Sequence, residues 1–477
     1  MLLERFYHDK LAHASWMVGC AATGEALVVD PNRDVAAYVA SAEREKLRIT
    51  HIAETHIHAD FVSGSRELAA RTGATLFLSD EGGEDWRYGF ARSGRDVLLR
   101  DGDTFMVGNI RIEVRHTPGH TPEHIVLVVT DTAAADRPMG VLTGDFVFVG
   151  DVGRPDLLER AAGMHGTMED GARQLFRSLR TFAELPDFLQ LWPAHGAGSA
   201  CGKALGAVPQ TTLGYEKLFN WAFQETSEDA FVQRVLAGQP EPPGYFARMK
   251  RVNRDGPAVL GGLPRVPRLA DRRLEDLLED DALVVDTRPV AEFAAGHAPG
   301  TIHIPLTRSF PTYAGSVLPY DRPLHLVLAD GGGALEEVVR DLALIGLDRF
   351  GGWCGPEALT EWASGERKLA ELPGMDTEEL RGRLERGNVH VLDVRSREEW
   401  RAGHIPGADL IPLGELPRRM DELPERPLVV HCQTGIRSSI AASLLRAAGV
   451  EDVVAYRGSF QAWQTAGMPV EGETVVA

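Results

Sequence analysis

Cysteine is scarce. The 477 residues contain four, Cys20, Cys201, Cys354 and Cys432, with no CxxC pair among them. A disulfide framework is thereby excluded, and a reducing cytoplasm is the expected compartment. Basic residues are outnumbered, 50 Lys+Arg against 69 Asp+Glu, for a net charge of -19. Such a surface repels phosphate backbones and anionic lipid, so neither nucleic acid nor membrane is an expected partner. No apolar run approaches the ~20 residues of a membrane span. The opening Met1-Leu2-Leu3-Glu4-Arg5-Phe6-Tyr7-His8 lacks the basic-then-apolar order of a secretory signal. What is present is an ordinary globular mix, 44% hydrophobic and 25% charged. At ~150 residues per domain it suffices for about three domains.

An internal repeat organises the second half. Residues 284–306 align without a gap to 391–413, matching Asp286/Asp393, Arg288/Arg395, Glu292/Glu399, Gly296-His297/Gly403-His404 and Pro299-Gly300/Pro406-Gly407. Each copy continues into a second apolar strand, 324–329 or 428–431, then an amphipathic helix and a Gly-rich turn with tryptophan. Strands alternating with helices predict a small parallel-sheet α/β unit, present twice. The shared residues read as scaffold, with a strand-end Asp and Arg fixing turns. In the first half, β-type runs at 27–30, 49–54, 75–78, 110–115, 125–130, 141–143 and 189–192 alternate with helical patterns at 35–46, 65–72 and 171–185. These predict a larger mixed α/β layer structure. The Pro- and Gly-rich stretch 240–267 reads as the way into the repeats.

Imidazoles and carboxylates gather where first-half strands end. Thr55-His56-Ile57-His58-Ala59-Asp60 follows one strand, with three donors at every second position. His116-Thr117-Pro118-Gly119-His120, Thr143-Gly144-Asp145 and Pro193-Ala194-His195-Gly196 follow others. One histidine means little; four such segments beside Gly or Pro, in loops that carry function, predict a metal site. The residues alone leave open a three-imidazole zinc site of His56, His58 and His120.

This constellation resembles the metallo-β-lactamase superfamily over roughly residues 1–250, which implies an αββα sandwich whose strand-end loops hold metal. Hydrolytic members carry His after the motif's Asp as a ligand of a second metal, and here that position is Phe61. The stretches 54–61, 143–157 and 192–199 are similar to the persulfide dioxygenase branch. That resemblance implies one Fe(II) per chain, with Zn2+ as the alternative, held by His56, His120 and Asp145. His58, Asp60 and His195 would stand behind them, orienting ligands and waters. Two imidazoles and one carboxylate suit non-haem iron with open positions. Arg154 reads either as a cation near an anionic thiol substrate or as the partner of Asp151 or Asp156. Cys201 reads as a substrate-side thiol or as a buried inert cysteine.

In the last domain, strand 428–431 runs into Cys432-Gln433-Thr434-Gly435-Ile436-Arg437, and a helix follows. A cysteine between a strand end and a helix N-terminus lies in a positive field that favours the thiolate. The loop resembles the rhodanese family, which implies a persulfide carried on Cys432, anionic sulfur stabilised by Arg437, and binding by the loop Gln433, Thr434, Gly435 and Ile436. Cysteine-dependent phosphatases place the arginine one residue later, in a wider cradle. The middle copy has Asp330 at the cysteine position, no thiol, and no arginine until Arg340. It reads as a pseudorhodanese of structural role, with Cys354 structural too.

The fold class is therefore α/β throughout: an αββα sandwich in 1–250, a linker in 251–267, a pseudorhodanese domain in 268–371 and an active rhodanese domain in 372–477. The chain resembles the persulfide dioxygenase–rhodanese fusions. The resemblance implies oxidation of a low-molecular-weight thiol persulfide by O2 to sulfite, and transfer of sulfane sulfur through Cys432 to give thiosulfate. Its implied partners are that persulfide, O2 and sulfite, in a homo-oligomer. Glutathione, bacillithiol and coenzyme A all remain open as the thiol. The rival readings are a glyoxalase II-like zinc thioester hydrolase, which requires the residue that Phe61 replaces, and a rhodanese pair that binds without catalysing.

Overall fold

Alternation along the N-terminal strands decides the layers. The computed structural model describes residues 1–92, 94–162, 166–365 and 367–472. Neighbouring in the order β1 to β6, the first sheet holds β1 (Leu2–His8), β2 (His13–Cys20), β3 (Glu25–Val29), β4 (Arg48–Ala53), β5 (Thr75–Ser79) and β6 (Val97–Leu99). A second sheet likewise neighbours β7 (Thr104–Val107), β8 (Ile110–His116), β9 (Ile125–Asp131), β10 (Gly140–Gly144), β11 (Gln190–Pro193) and β12 (Thr211–Thr212) in sequence. On β2, Trp16, Val18 and Cys20 face a core shared with Leu127 and Val129 of β9, whereas Met17 faces the opposite side. That is the period of two expected of a strand buried on both faces.

Helices cover the two outer faces. Ala36–Arg44 and Ser65–Thr72 place Tyr38, Ala42, Leu68 and Ala69 against Met17, Val28 and Ile52. Thr167–Phe182 buries Ala172, Leu175, Leu179 and Phe182, a spacing of one helical face, against Val126, Val128 and Val141. Each fully buried Leu or Phe contributes about 1.5–3 kcal/mol. The order helix, sheet, sheet, helix is the expected αββα sandwich. Among the described residues no helix is long and apolar enough to cross a membrane.

The chain divides into two compact units, Met1–Leu263 with Ala343–Gly346, and Pro264–Leu342 with Leu347–Ala477. The boundary between the units falls within the stretch 251–267 that reads as a linker. The helix Phe246–Asp255 runs into it, and the following segment is pinned to the first unit: Arg66 donates to the Gly256 and Pro257 carbonyls, and Glu67 accepts from Leu260 and Gly262 N–H. Proline and glycine there shape an ordered strap.

In the second unit both repeats form parallel sheets. The first holds β13 (Leu283–Asp286), β14 (Ile302–His303), β15 (Leu324–Val327) and β16 (Phe350–Cys354) in the order β14-β13-β15-β16. The second holds β17 (Gly374–Met375), β18 (His390–Asp393), β19 (Asp409–Leu410), β20 (Leu428–His431) and β21 (Val453–Tyr456) in the order β17-β21-β20-β18-β19. The repeated Asp-x-Arg makes the same clasp twice. Arg288 forks onto Asp286 and donates to the Gly296 carbonyl, while Arg395 forks onto Asp393 and donates to that of Gly403.

The copies are joined at His303 of β14. Its backbone N–H donates to Ser443 Oγ (2.9 Å), its Nε2–H donates to the Arg288 carbonyl (2.9 Å), and its Nδ1 accepts from Ser439 Oγ (2.8 Å). Ser439 and Ser443 lie on the helix Ile436–Ala447 that follows the Cys432 loop. Burial pushes this imidazole down from 6.5 to about 4. Unfolding therefore takes up a proton in that interval, so the stability is whole above pH 6.5 and is lost as pH falls towards 4. Urea unfolding of the full chain at pH 7 and 4.5 is expected to lose about 2–3 kcal/mol more in the wild type than in His303→Gln.

Candidate active sites

The loops after β4, β8, β10 and β11 bring His56, His120, Asp145 and His195 together at one end of the sandwich. Each side chain is buried. Asp145 Oδ2 lies 3.9 Å from His56 Nε2 and 3.5 Å from His120 Nε2, and neither carboxylate oxygen receives a hydrogen bond. Both rings are aimed from behind. His120 Nδ1–H donates to the Arg154 carbonyl (2.9 Å). His56 Nδ1–H donates to Thr55 Oγ1 (3.0 Å), which in turn donates to Asp30 (2.9 Å). The Nε2 lone pairs therefore face the carboxylate. Burial, and for His56 its imidazole neighbours, lowers both pKa values, keeping the rings neutral as a ligand requires. Three convergent buried donors without partners fit a single cation.

The other expected residues take different places. His58 lies 3.1 Å from Asp30 Oδ1, and the opposing effects of burial and Asp30 leave it raised to about 9. Its Nε2 is directed at the Asp30 carboxylate. His195 bridges, with Nε2 3.2 Å from Asp60 and 3.4 Å from Asp145 Oδ1, while its Nδ1–H donates to the Ala12 carbonyl. Phe61 packs against His13, centroids 4.0 Å apart and planes tilted by 43°, and brings no donor. Asp60, His195 and Cys201 form a second group whose ligand atoms lie within 4.8 Å of one another. Burial pushes the Cys201 thiol up to about 12, so it is protonated at neutral pH.

Arg154 corrects one expectation. Its guanidinium is fully buried, forks onto Asp156 at 2.7 and 2.8 Å and donates to the Ala200 carbonyl. Those contacts occupy the charge that was expected to meet a substrate, and the structural pairing holds instead. Asp30, His13, His124 and Asn253 escaped the sequence reading. His124 Nε2 accepts from Asp145 N–H (3.1 Å), and Asn253 Nδ2 donates to the carbonyls of His58 and Phe61. None carries a motif; Asn253 reaches the metal loop from 190 residues away in sequence.

In the second unit, Cys432 is buried and its Sγ accepts from Gly435 N–H at 3.1 Å. Ser438 Oγ lies 3.7 Å and Ser459 Oγ 3.9 Å from the sulfur. Gly435, at φ 111°, turns the loop so that its amide points back at the thiol. Gln433 Oε1 accepts from Arg395 (3.3 Å), and Ile436 opens the helix. For Thr434 no side-chain contact bears on the sulfur. Arg437 makes two 2.7 Å contacts to Glu399 rather than reaching the sulfur directly. Burial opposes its charge, but the paired carboxylate outweighs it and raises Arg437, while Glu399 falls to about 2. Glu399, matched in the repeat and read as scaffold, thus holds the loop arginine. Tyr313, from the inactive copy, has its phenol raised by burial and interacts electrostatically with Arg437 and Cys432.

These features define an αββα protein with a candidate metal site that carries a duplicated parallel-sheet α/β fold, one copy with a cysteine loop. The family model "Metallo-beta-lactamase superfamily" matches residues 8–195, and "Rhodanese-like domain" matches 271–347 and 376–466. The chain belongs to the metallo-beta-lactamase superfamily and bears two rhodanese-like domains. A solved metallo-beta-lactamase from Staphylococcus aureus subsp. aureus COL is 42% identical, with a TM-score of 0.68, over 74% of this chain and 99% of that one. A probable metallo-hydrolase of Burkholderia pseudomallei is 30% identical over 220 residues, 41% of this chain and 72% of its own length. The mitochondrial persulfide dioxygenase of Bos taurus is 26% identical over 200 residues, 41% and 68%. Hydroxyacylglutathione hydrolases also match.

Breaking the Arg437–Glu399 fork tests how the loop is held. Glu399→Gln is expected to cost about 1 kcal/mol of loop order. Cys432, 1% exposed, should then be alkylated by iodoacetamide about fivefold faster, read by mass spectrometry after timed quenching.

Proposed function

We propose that the first unit is a mononuclear iron persulfide dioxygenase and that Cys432 is the sulfur carrier of a thiosulfate-forming sulfurtransferase. The observation that carries the first part is the donor set. His56, His120 and Asp145 converge with free lone pairs, whereas His58 is turned to Asp30 and Phe61 offers nothing to a second ion. Two imidazoles and one carboxylate suit ferrous iron with adjoining open positions. A ferrous ion held there supplies redox capacity and sites at which persulfide and O2 meet. The overall change is RSSH + O2 + H2O → RSH + SO3(2-) + 2 H+. Around it, the chain's own residues position and exclude. His195 lies beside the Asp145 carboxylate and His124 accepts from the Asp145 backbone N–H, Asp30 fixes Thr55 and through it the His56 ring, and the buried setting keeps bulk water from the reactants.

At Cys432, the thiolate attacks the outer sulfur of a persulfide. The S–S bond breaks, the thiol leaves with the electron pair, and Cys432 carries S–S(-). Sulfite then attacks that outer sulfur and departs as thiosulfate, restoring the thiolate. The Gly435 amide and the Ser438 and Ser459 hydroxyls are placed for the anionic sulfur. Joining both centres in one chain keeps sulfite near its acceptor. The cytoplasm, with its reduced thiols, is the compartment this chemistry suits.

One observation favours the hydrolase reading: Asp60, His195 and Cys201 could take a second ion, and hydroxyacylglutathione hydrolases are among the matches. Metal analysis with an oxygen electrode separates the two. The dioxygenase reading expects one iron per chain and about one O2 consumed per persulfide. Two zincs, with thioester cleavage that proceeds unchanged without oxygen, would overturn it. Separately, Cys432→Ser is expected to abolish thiosulfate formation from persulfide and sulfite while leaving O2 uptake intact; survival of thiosulfate formation would remove Cys432 from the role.

A further inference from the structure

The loop that lost its thiol has kept a cavity. At the carboxyl ends of β13 and β15 in the inactive copy lies an open space of about 370 Å³, walled by Val290, Pro305, Leu306 and Ala334 and bordered by Ile436 of the Cys432 loop. Parallel sheets bind ligands at that end of their strands. Asp330 is the one charged residue among the described residues that line it, and it stands where the cysteine would be. Its Oδ1 accepts from Gly332 N–H (3.3 Å), so this carboxylate already engages an amide of its own loop. Thr307 Oγ1, also on the wall, is buried without a hydrogen-bond partner. The inactive copy therefore borders the sulfur loop twice, through this wall at Ile436 and through Tyr313 beside Arg437.

We propose that this cavity receives the organic body of the persulfide donor that charges Cys432, and that it selects a small uncharged thiol bearing an amide. The inference rests on Cys432 being the sulfur carrier. Apolar walls gain by burying carbon. The Asp330 carboxylate repels the carboxylates or phosphates of an anionic thiol, and the vacant Thr307 hydroxyl can meet an amide. A bound donor R–S–SH presents its outer sulfur to the Cys432 thiolate. The new S–S bond forms to Cys432, the old one breaks, and R–S(-) takes the electron pair and the proton. Inorganic thiosulfate, which has no organic body, needs no such cavity.

The test uses the full chain without oxygen, which silences persulfide oxidation. Pantetheine persulfide and glutathione persulfide are compared as donors to sulfite, and thiosulfate as donor to cyanide serves as the third reaction. The wild type is expected to favour pantetheine persulfide by at least about fivefold in kcat/KM. Ala334→Trp, which fills the cavity, should lower that value at least about tenfold while thiosulfate:cyanide transfer stays within about twofold. Asp330→Asn should raise kcat/KM for glutathione persulfide severalfold. Thr307→Val, a substitution of nearly equal volume, should lower the pantetheine value about threefold or more and stands in if Ala334→Trp does not fold. Unchanged organic-donor kinetics in the cavity variants, or an equal fall in all three reactions, would overturn the cavity assignment. Retention of all three reactions in Cys432→Ser would instead show that the carrier itself is misassigned.

Discussion

Everything at the first site answers to one buried carboxylate. Asp145 is fully enclosed, its oxygens receive no hydrogen bond, and three imidazoles crowd it. A carboxylate removed from water without compensation costs several kcal/mol, far more than a surface contact returns. The surroundings are arranged to compensate it electrostatically. The two Nε2 atoms face it with lone pairs, which a cation between them would turn from a repulsive arrangement into an attractive one. Backbone packs closely enough around it that a side chain at Gly153 would meet the Asp145 carbonyl at 1.7 Å. The small residues flanking the motif are therefore part of the same constraint.

Much of this was legible in the sequence because it is local. The Thr55–Asp60 run sits at the end of β4, and strand-end placement follows from an apolar run stopping beside polar residues. The helix Ser65–Thr72 and strand Leu428–His431 have the bounds their patterns indicate. What failed to show was remote or diluted. In β1, Glu4 and Arg5 interrupt the apolar run of a half-buried edge strand, and in β2 His13 and Ser15 mask a strand that is buried throughout. Asp30, His13 and Asn253 reach the metal loop from distant segments with no motif of their own. Arg154 shows the limit of reading charge: a guanidinium beside Gly and Pro suggests an open loop, yet Asp156, two residues on, takes its Nε–Nη2 edge and the Ala200 carbonyl takes Nη1.

The sulfur loop teaches a related lesson. The six residues Cys432–Arg437 fix the direction of the Gly435 amide, because Gly435 adopts a backbone angle that other residues resist. They do not reveal that Arg437 is held by Glu399, or that Tyr313 and His303 arrive from the other copy. Repetition pointed to a shared scaffold, and the scaffold is indeed shared; it also hid a residue whose partner exists in one copy alone among the described residues. Glu292 and Glu399 occupy equal places, but only Glu399 has a loop arginine to hold.

The Asp-x-Arg clasp carries the last consequence. In each copy it ties a strand end to a glycine carbonyl eight residues beyond the arginine, in a stretch of sequence that precedes the segment in which the thiol is present or lost. Framework and chemistry are thus written in separate stretches of chain. One stretch can be rewritten, Cys to Asp included, and the protein keeps a second rigid body whose vacated face is at liberty to acquire a new task.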